Sequence, residues 1–200
     1  MRVLLYGEDG PLERALAARG LELVREVPDA EALVTLAPPV ELRPLAELGP
    51  EGWRSTFRSW AEEPFFAVQP WLRIASARGS GSWVAVTSVV ATQPFPGGAS
   101  GAAALALQTL VRIAALEGVR ANAVAPGWRE DRIPSSIDQE LAIADTPDKR
   151  LASAEDVASA VDWLLSEQAS HVNGEVLRVD GGYTITRGSR PDPTREGRWR

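Results

Sequence analysis

An apolar helical segment followed at once by a strand decides the fold of this chain. The two stretches are Ser100-Gly-Ala-Ala-Ala-Leu-Ala-Leu-Gln-Thr-Leu-Val-Arg112 and Gly118-Val-Arg-Ala-Asn-Ala-Val-Ala-Pro-Gly127. Ala99–Leu116 is apolar on nearly every side, which predicts a helix buried against a sheet or against another subunit. Val119–Val124 has the short apolar pattern of a buried strand.

The same alternation continues outward in both directions. Further strands are predicted at 2–6, 21–24, 32–36, 83–87 and 175–179, and further helices at 12–19, 53–77 and 154–166. Strands that alternate with helices indicate a parallel sheet covered on both faces. We therefore predict an α/β fold with a single domain over 1–186, and an extended tail over 187–200 that is either disordered or docked on a neighbouring subunit.

Local signals refine three of these segments. Pro64 and Pro70 lie inside the long predicted helix, so we expect kinks there. Ser153 is a helix N-cap candidate, and Asp156 completes an approximate capping box. Residues 128–150 show no clear periodicity, which predicts an irregular connection.

Composition excludes several classes of function. The chain has 200 residues, a net charge of −6, no cysteine and one histidine, His171. An acidic chain is a poor partner for nucleic acid, and a chain with no thiolate and a single imidazole disfavours a metal site. No apolar run approaches the length of about 20 residues that a membrane span requires. The start, Met1-Arg-Val-Leu-Leu, lacks the features of a signal peptide, so we expect a cytoplasmic protein.

Motifs in the second half carry a family resemblance. They are the two stretches quoted above, Ser153-Ala-Glu-Asp-Val-Ala with Trp163-Leu-Leu-Ser, and Val172-Asn-Gly-Glu-Val-Leu-Arg-Val-Asp-Gly-Gly182. In this order and spacing they resemble the short-chain dehydrogenase/reductase family. The resemblance covers roughly 30–183 and implies a Rossmann-like, doubly wound parallel sheet, here shortened in its N-terminal half.

The catalytic pattern that the resemblance implies is incomplete. The family has a tyrosine and a lysine four residues apart on one helix, and alignment puts Gly97 and Gly101 in those positions. Tyr6 and Tyr183 are the only tyrosines, and Lys149 is four residues after neither. Ser88 is the one possible remnant of the family's catalytic serine, although a simple turn serine explains it as well.

The cofactor pattern is also altered. The first turn reads Gly7-Glu-Asp-Gly-Pro-Leu-Glu13, with carboxylates where the family's glycines approach a pyrophosphate. Like charges oppose binding of that group, whereas acidic side chains at a helix start favour the helix dipole. The family's helix-borne asparagine falls near Trp60, and Ala37-Pro-Pro39 replaces its Asn-Ala-Gly turn. From these changes we expect no cofactor, NAD(P) included, and no catalytic residue of the usual kind.

The missing groups lead to a first hypothesis, a catalytically silent subunit. It would assemble with itself or with an active, full-length paralogue through helices 53–77 and 99–116 and the last strand region, 175–182. These segments keep the family pattern best, and the family usually assembles through them. The tryptophans of the long helix, Trp53, Trp60 and Trp71, would then lie either at an interface or in the core.

A second hypothesis is a non-redox enzyme or small-molecule binder that uses the residual cleft. Halohydrin dehalogenases are a related comparison, since Trp60-Ala-Glu-Glu-Pro-Phe and the end of the tail, Arg198-Trp199, are similar to theirs. An isomerase or cyclase is equally open. A cleft at the carboxyl ends of the strands is expected from the fold, and its candidate lining is Ser88, Thr92, Pro126, Gly127, Trp128 and Arg129.

Overall fold

The computed structural model describes residues 1–27, 30–93 and 98–186. It contains one six-stranded parallel sheet in the order β2-β1-β3-β4-β5-β6. The strands are β1 (Arg2–Tyr6), β2 (Glu22–Val24), β3 (Ala32–Leu36), β4 (Ser82–Val86), β5 (Arg120–Pro126) and β6 (Val176–Val179). The predicted Rossmann-like parallel sheet is therefore confirmed.

Helices cover both faces of this sheet. They are α1 (Gly10–Ala18), α2 (Pro50–Phe57), α3 (Glu63–Arg78), α4 (Ala99–Ala115), α5 (Gln139–Asp145), α6 (Ala154–Leu165) and the short α7 (Tyr183–Thr186). One buried cluster joins α1 and α6 to the sheet, and a second joins α3 and α4 to its other face. The chain thus forms three layers, helix, sheet and helix.

The central strands explain why both faces must be covered. Every residue of β3 and β4 is buried. Successive side chains of a strand point to opposite faces, and here Val34 and Val84 enter the cluster under α1 and α6, while Leu33 and Trp83 enter the cluster under α3 and α4. A strand that is apolar on both sides is stable only between two helical layers.

The long predicted helix is interrupted by one wide turn. Residues 58–62 form a π-helical turn between α2 and α3, in which the Glu63 amide donates to the Arg58 carbonyl. Pro64 follows directly and has no N–H with which to continue the ordinary α-helical bonding. Trp60 and Trp71 are 2% and 0% exposed and belong to the core, while Trp53 is 43% exposed.

Two segments differ from the prediction. Residues 128–150 are not wholly irregular, because α5 lies within them and Arg129 forms an isolated parallel bridge with Ala152. A helix of seven residues is too short to show a clear apolar period, but its N-cap, Asp138, accepts a hydrogen bond from the Leu141 amide. Residues 183–186, not predicted as an element, form α7. The predicted tail, 187–200, lies outside the described residues.

The predicted start of α6 is confirmed in detail. Ser153 and Asp156 form a reciprocal capping box at the start of α6. Within the parts of the chain that the structure describes, no helix combines the length and apolarity needed to cross a membrane.

Candidate active site

A cleft opens where β3, β4 and β5 end, at the carboxyl edge of the sheet. The residues that line it are Ala37, Pro38, Pro39, Val40, Trp60, Val86, Thr87, Ser88, Pro126, Gly127, Trp128, Arg129 and Arg132. Its volume is about 50 Å³. Sites for small organic ligands typically measure about 300–1,000 Å³, so this cleft holds a few water molecules as it stands and must widen to admit a larger molecule.

Ser88 lies near the centre of this edge, two residues after the end of β4. It is 7% exposed and caps the following 3₁₀ turn, where its Oγ accepts a hydrogen bond of 3.3 Å from the Val90 amide. That bond uses an acceptor site of the hydroxyl and leaves its hydrogen available for an oxygen atom in the cleft. The turn-serine interpretation and the functional one are therefore compatible.

A buried polar pair supports the strand end beneath Ser88. The Gln108 amide, 1% exposed on α4, donates a hydrogen bond of 3.0 Å to the Thr87 hydroxyl. Thr87 in turn donates to the Val124 carbonyl at 3.2 Å. These two hydrogen bonds link α4 to the ends of β4 and β5, and they fix the position of the Ser88 backbone. Gln108 was not predicted as a site residue, although a lone side-chain amide in an apolar helix is a usable signal.

The predicted lining is largely brought together. Pro126, Gly127, Trp128 and Arg129 line the cleft with Ser88. Thr92 is not among the lining residues, because its hydroxyl turns back to donate to the Val89 carbonyl within the 3₁₀ turn. Sequence reasoning missed Arg132 as a lining residue, since it lies in a stretch without periodicity.

The first turn of the fold starts α1 from the edge of β1. Gly7 has φ of 93°, and a Cβ at this position would lie 2.5 Å from the Leu36 carbonyl oxygen, so only glycine suits the turn. Asp9 is the N-cap of α1, and its side chain accepts a hydrogen bond of 3.2 Å from the Leu12 amide. The expectation that acidic groups here serve the helix start is confirmed for Asp9.

Two arginines hold the Asp9 carboxylate. Arg129 binds it in a bidentate manner, at 2.5 Å to Oδ2 and 3.0 Å to Oδ1. Arg132 adds a third contact, 2.6 Å to Oδ2, and also donates to the Ala37 carbonyl. Asp131 binds the remaining side of the Arg129 guanidinium. The side chains of Asp9 and Arg129 are 1% and 4% exposed, so this is a buried ion pair.

Hydrogen bonds and opposite charges within this cluster set the protonation states of Asp9 and Arg129. Burial raises the pKa of Asp9, but the hydrogen bond and charge of Arg129, the charge of Arg132 and the Leu12 amide outweigh it and lower the pKa overall. Burial lowers the pKa of Arg129, and its two carboxylate partners outweigh that effect and raise it. Both groups are therefore charged across the physiological range.

Comparisons with known proteins show the family to which the chain belongs. Residues 22–184 match a family model described as enoyl-(acyl carrier protein) reductase, one of the short-chain dehydrogenase/reductase models. The chain belongs to the short-chain dehydrogenase/reductase family. An oxidoreductase of this family from Burkholderia thailandensis has the same fold, with a TM-score of 0.81 at 22% identity over 92% of each chain.

Two curated relatives have printed activities. A cis-4-hydroxycyclohexanecarboxylate dehydrogenase from Sinomonas cyclohexanicum is 37% identical over 70% of this chain. A 3-oxoacyl-[acyl-carrier-protein] reductase from Salmonella typhimurium is 32% identical over 69% of it. This chain spans 60% of the length of each of these relatives.

These names correct the silent-subunit hypothesis. That hypothesis was wrong because relatives above 30% identity are named as dehydrogenases and reductases, which points to an oxidoreductase. The cleft and Ser88 remain in place, and the non-redox alternative gains no support from the comparisons.

Of the two positions aligned with the family's tyrosine and lysine, the structure describes only the second, Gly101. Gly97 lies outside the described residues. Gly101 lies on α4, where a Cβ would meet the Val90 carbonyl oxygen at 2.7 Å. The backbone after β4 is seated against the helix at this point, so a lysine side chain does not fit there in this conformation.

The turn after β1 does not fit the nicotinamide dinucleotide that the family generally uses. In a Rossmann fold the pyrophosphate lies at the N-terminus of the first helix, against backbone N–H groups. Here the Asp9 carboxylate occupies that place, bonded to the Leu12 amide and to both arginines. A second anion at the same position would meet a buried negative charge.

Within residues 1–27, 30–93 and 98–186, no group of three or more histidine or acidic side chains is placed to hold a metal ion.

Proposed function

We propose that the protein is an oxidoreductase that interconverts a hydroxyl and a carbonyl group on a small molecule. Reduction of the carbonyl would take a hydride from a separate two-electron carrier, such as a nicotinamide, and a proton from water, and oxidation of the hydroxyl would return both. The match to the short-chain dehydrogenase/reductase family over residues 22–184 carries this proposal, because that range includes every residue that lines the cleft. The names of the two curated relatives support it, since one is a dehydrogenase of a hydroxy acid and the other a reductase of an oxoacyl group.

Ser88 is the group that we assign to the substrate oxygen. Its hydroxyl lies in the cleft at the end of β4, already oriented by the Val90 amide. A hydroxyl that donates a hydrogen bond to a carbonyl oxygen stabilises the negative charge that develops there as the carbonyl is reduced. Thr87 and Gln108 hold the strand end in place, so they are positioning residues rather than catalytic ones.

The walls of the cleft suit an apolar substrate body. Trp60, Trp128 and two consecutive prolines, Pro38 and Pro39, line the space beside Ser88. Such walls exclude water from a reacting carbonyl and strengthen the hydrogen bond from Ser88. The small volume of the cleft favours a compact substrate.

The test is a turnover assay of the purified protein. Secondary alcohols, hydroxy acids and their carbonyl counterparts would be offered with NAD(H), with NADP(H) and, because the first turn does not fit a dinucleotide, with an artificial redox dye. We expect substrate-dependent electron transfer with one of these carriers. Ser88→Ala should lower kcat/KM by about a hundredfold or more, as loss of one charge-stabilising donor does elsewhere.

Ser55→Ala is the matched control. Ser55 is an exposed serine on α2, away from the cleft, and its replacement should leave kcat/KM unchanged. The proposal fails if no carrier supports turnover of any substrate, and the role of Ser88 fails if Ser88→Ala retains wild-type kcat/KM.

A further inference from the structure

The Asp9 carboxylate is bound as a ligand would be. Both of its oxygens accept from Arg129, and one also accepts from Arg132. The Leu12 amide adds a contact from the first turn of α1, a helix of nine residues. A carboxylate that serves only as an N-cap needs the amide bond alone, so the two arginines exceed what the helix requires.

The groups that hold Asp9 are those that hold phosphate in proteins. Guanidinium groups bind phosphate oxygens in a bidentate, planar arrangement. Free amides at the start of a helix add hydrogen bonds and a partial positive charge. Arg129 comes from the segment after β5 and the amide from the turn after β1, so the two halves of this pocket are 120 residues apart in the chain.

Asp9 supplies one of the two negative charges that neutralise the arginines of this cluster. Asp9 and Asp131 neutralise Arg129 and Arg132, so the four buried or half-buried groups carry no net charge. Without the Asp9 charge, the same pocket would hold one net positive charge in a low-dielectric setting. An external anion would then find both the charge and the donors that Asp9 now uses.

We propose that Asp9 is an internal ligand of an anion site formed by Arg129, Arg132 and the first turn of α1. A ligand that carries a phosphate or pyrophosphate group binds there only by displacing the Asp9 carboxylate. This inference goes beyond the proposed function, because it concerns binding of an anion and holds with or without electron transfer. The Asp9 carboxylate in this position is also the reason that the turn does not fit a dinucleotide as the structure stands.

Titration calorimetry with inorganic pyrophosphate tests this proposal without any turnover. Asp9→Asn removes the charge and keeps an oxygen that can cap α1, since asparagine is a favourable N-cap residue. We expect Asp9→Asn to bind pyrophosphate at least about tenfold more tightly than the wild type does, because a competing like charge is removed. Adding Arg132→Gln to Asp9→Asn should abolish the gain.

Glu8→Gln is the matched control. It removes the same charge one residue away, at an exposed position, and should leave the pyrophosphate affinity within about twofold of the wild type, because exposed charges act weakly. If Asp9→Asn does not fold, Asp9→Ser provides the same test with another N-cap residue. Equal affinities of the wild type and the folded Asp9 variant would overturn the proposal, as would an equal gain in Glu8→Gln.

Discussion

At the scale of single residues, one glycine and one carboxylate decide what the site can hold. Gly101 lets the backbone after β4 rest on α4, and Asp9 draws two arginines onto the start of α1. In the family to which the chain belongs, the corresponding places carry a lysine and a cofactor pyrophosphate. In this chain the Val90 carbonyl occupies the first of these places and the Asp9 carboxylate occupies the second.

The contact at Gly101 leads to a prediction about stability. Gly101→Ala should destabilise the fold by about 1–3 kcal/mol, because its Cβ would overlap the Val90 carbonyl, a backbone atom that cannot simply rotate away. Helix propensity alone predicts the opposite sign, a gain of about 1 kcal/mol. Urea unfolding of the variant and the wild type measures the difference.

Gly52→Ala is the control for this substitution. Gly52 lies in α2, and its Cβ would first meet the flexible end of the Leu48 side chain, which can move. We expect Gly52→Ala to be neutral or slightly stabilising. A Gly101→Ala variant as stable as Gly52→Ala would show that the segment after β4 is not seated on α4.

At the scale of elements, side-chain caps mark where three of the helices, α1, α5 and α6, begin. Asp9, Asp138 and Ser153 each accept a hydrogen bond from an amide of the first turn of α1, α5 and α6, respectively. Ser153 and Asp156 were recognised from the sequence because their spacing is a local signal. Asp138 was not, because no apolar period follows it over a helix as short as α5.

The capping box of α6 has a defined pH dependence. Arg150, the Ser153 amide and the Ser153 hydroxyl all bind the Asp156 carboxylate, and they hold its pKa well below the ordinary value. A carboxyl group whose pKa is lower in the folded state stabilises the fold above its unfolded pKa, about 3.9. That contribution is lost as the pH falls below this value toward the folded pKa.

Asp156→Asn should therefore lower the free energy of unfolding by about 1–2 kcal/mol at neutral pH. The difference from the wild type should shrink as the pH falls below about 4. Denaturant unfolding at several pH values measures both. Glu140→Gln, at an exposed site on α5, should show no such loss, and a pH-independent effect of Asp156→Asn would contradict the assigned cause.

At the scale of the whole molecule, exposed apolar side chains on the outer helical layer support an oligomer. Leu105, Ile113 and Leu116 on or just after α4 are 45%, 47% and 87% exposed, and Phe66 on α3 is 58% exposed. Spacings of eight and three residues place the α4 side chains on one helix face. We propose self-association through these helices, as expected from the sequence.

Light scattering after size exclusion tests this association. We expect the wild type to elute as a dimer or larger assembly, and Leu105→Glu combined with Ile113→Glu to elute as a monomer, because a buried charge opposes the interface. Leu45→Glu, at a site 63% exposed in the segment before α2, should leave the assembly intact. A monomeric wild type would refute the proposed interface.

The sequence by itself determined the parallel α/β fold, the strand positions and the capping box of α6. These features depend on apolar periods and on residues a few positions apart, and such signals are present in any stretch of chain read alone. The halohydrin dehalogenase likeness and the role of the tail stay predictions. The fold predicted a cleft at the carboxyl ends of the strands, and Ser88 lines the cleft that the structure shows. The conclusion that missing side chains mean a silent subunit was wrong.

Only the tertiary structure decided what occupies the start of α1 and the position of Gly101 on α4. The pairing of Asp9 with Arg129 joins groups 120 residues apart, and the approach of Val90 to Gly101 joins a loop to a helix face. Neither contact follows a period or a spacing, because each depends on how the sheet brings its carboxyl edge and the covering helices together. The energy of a buried charge likewise depends on its final partners, which no local stretch of sequence contains.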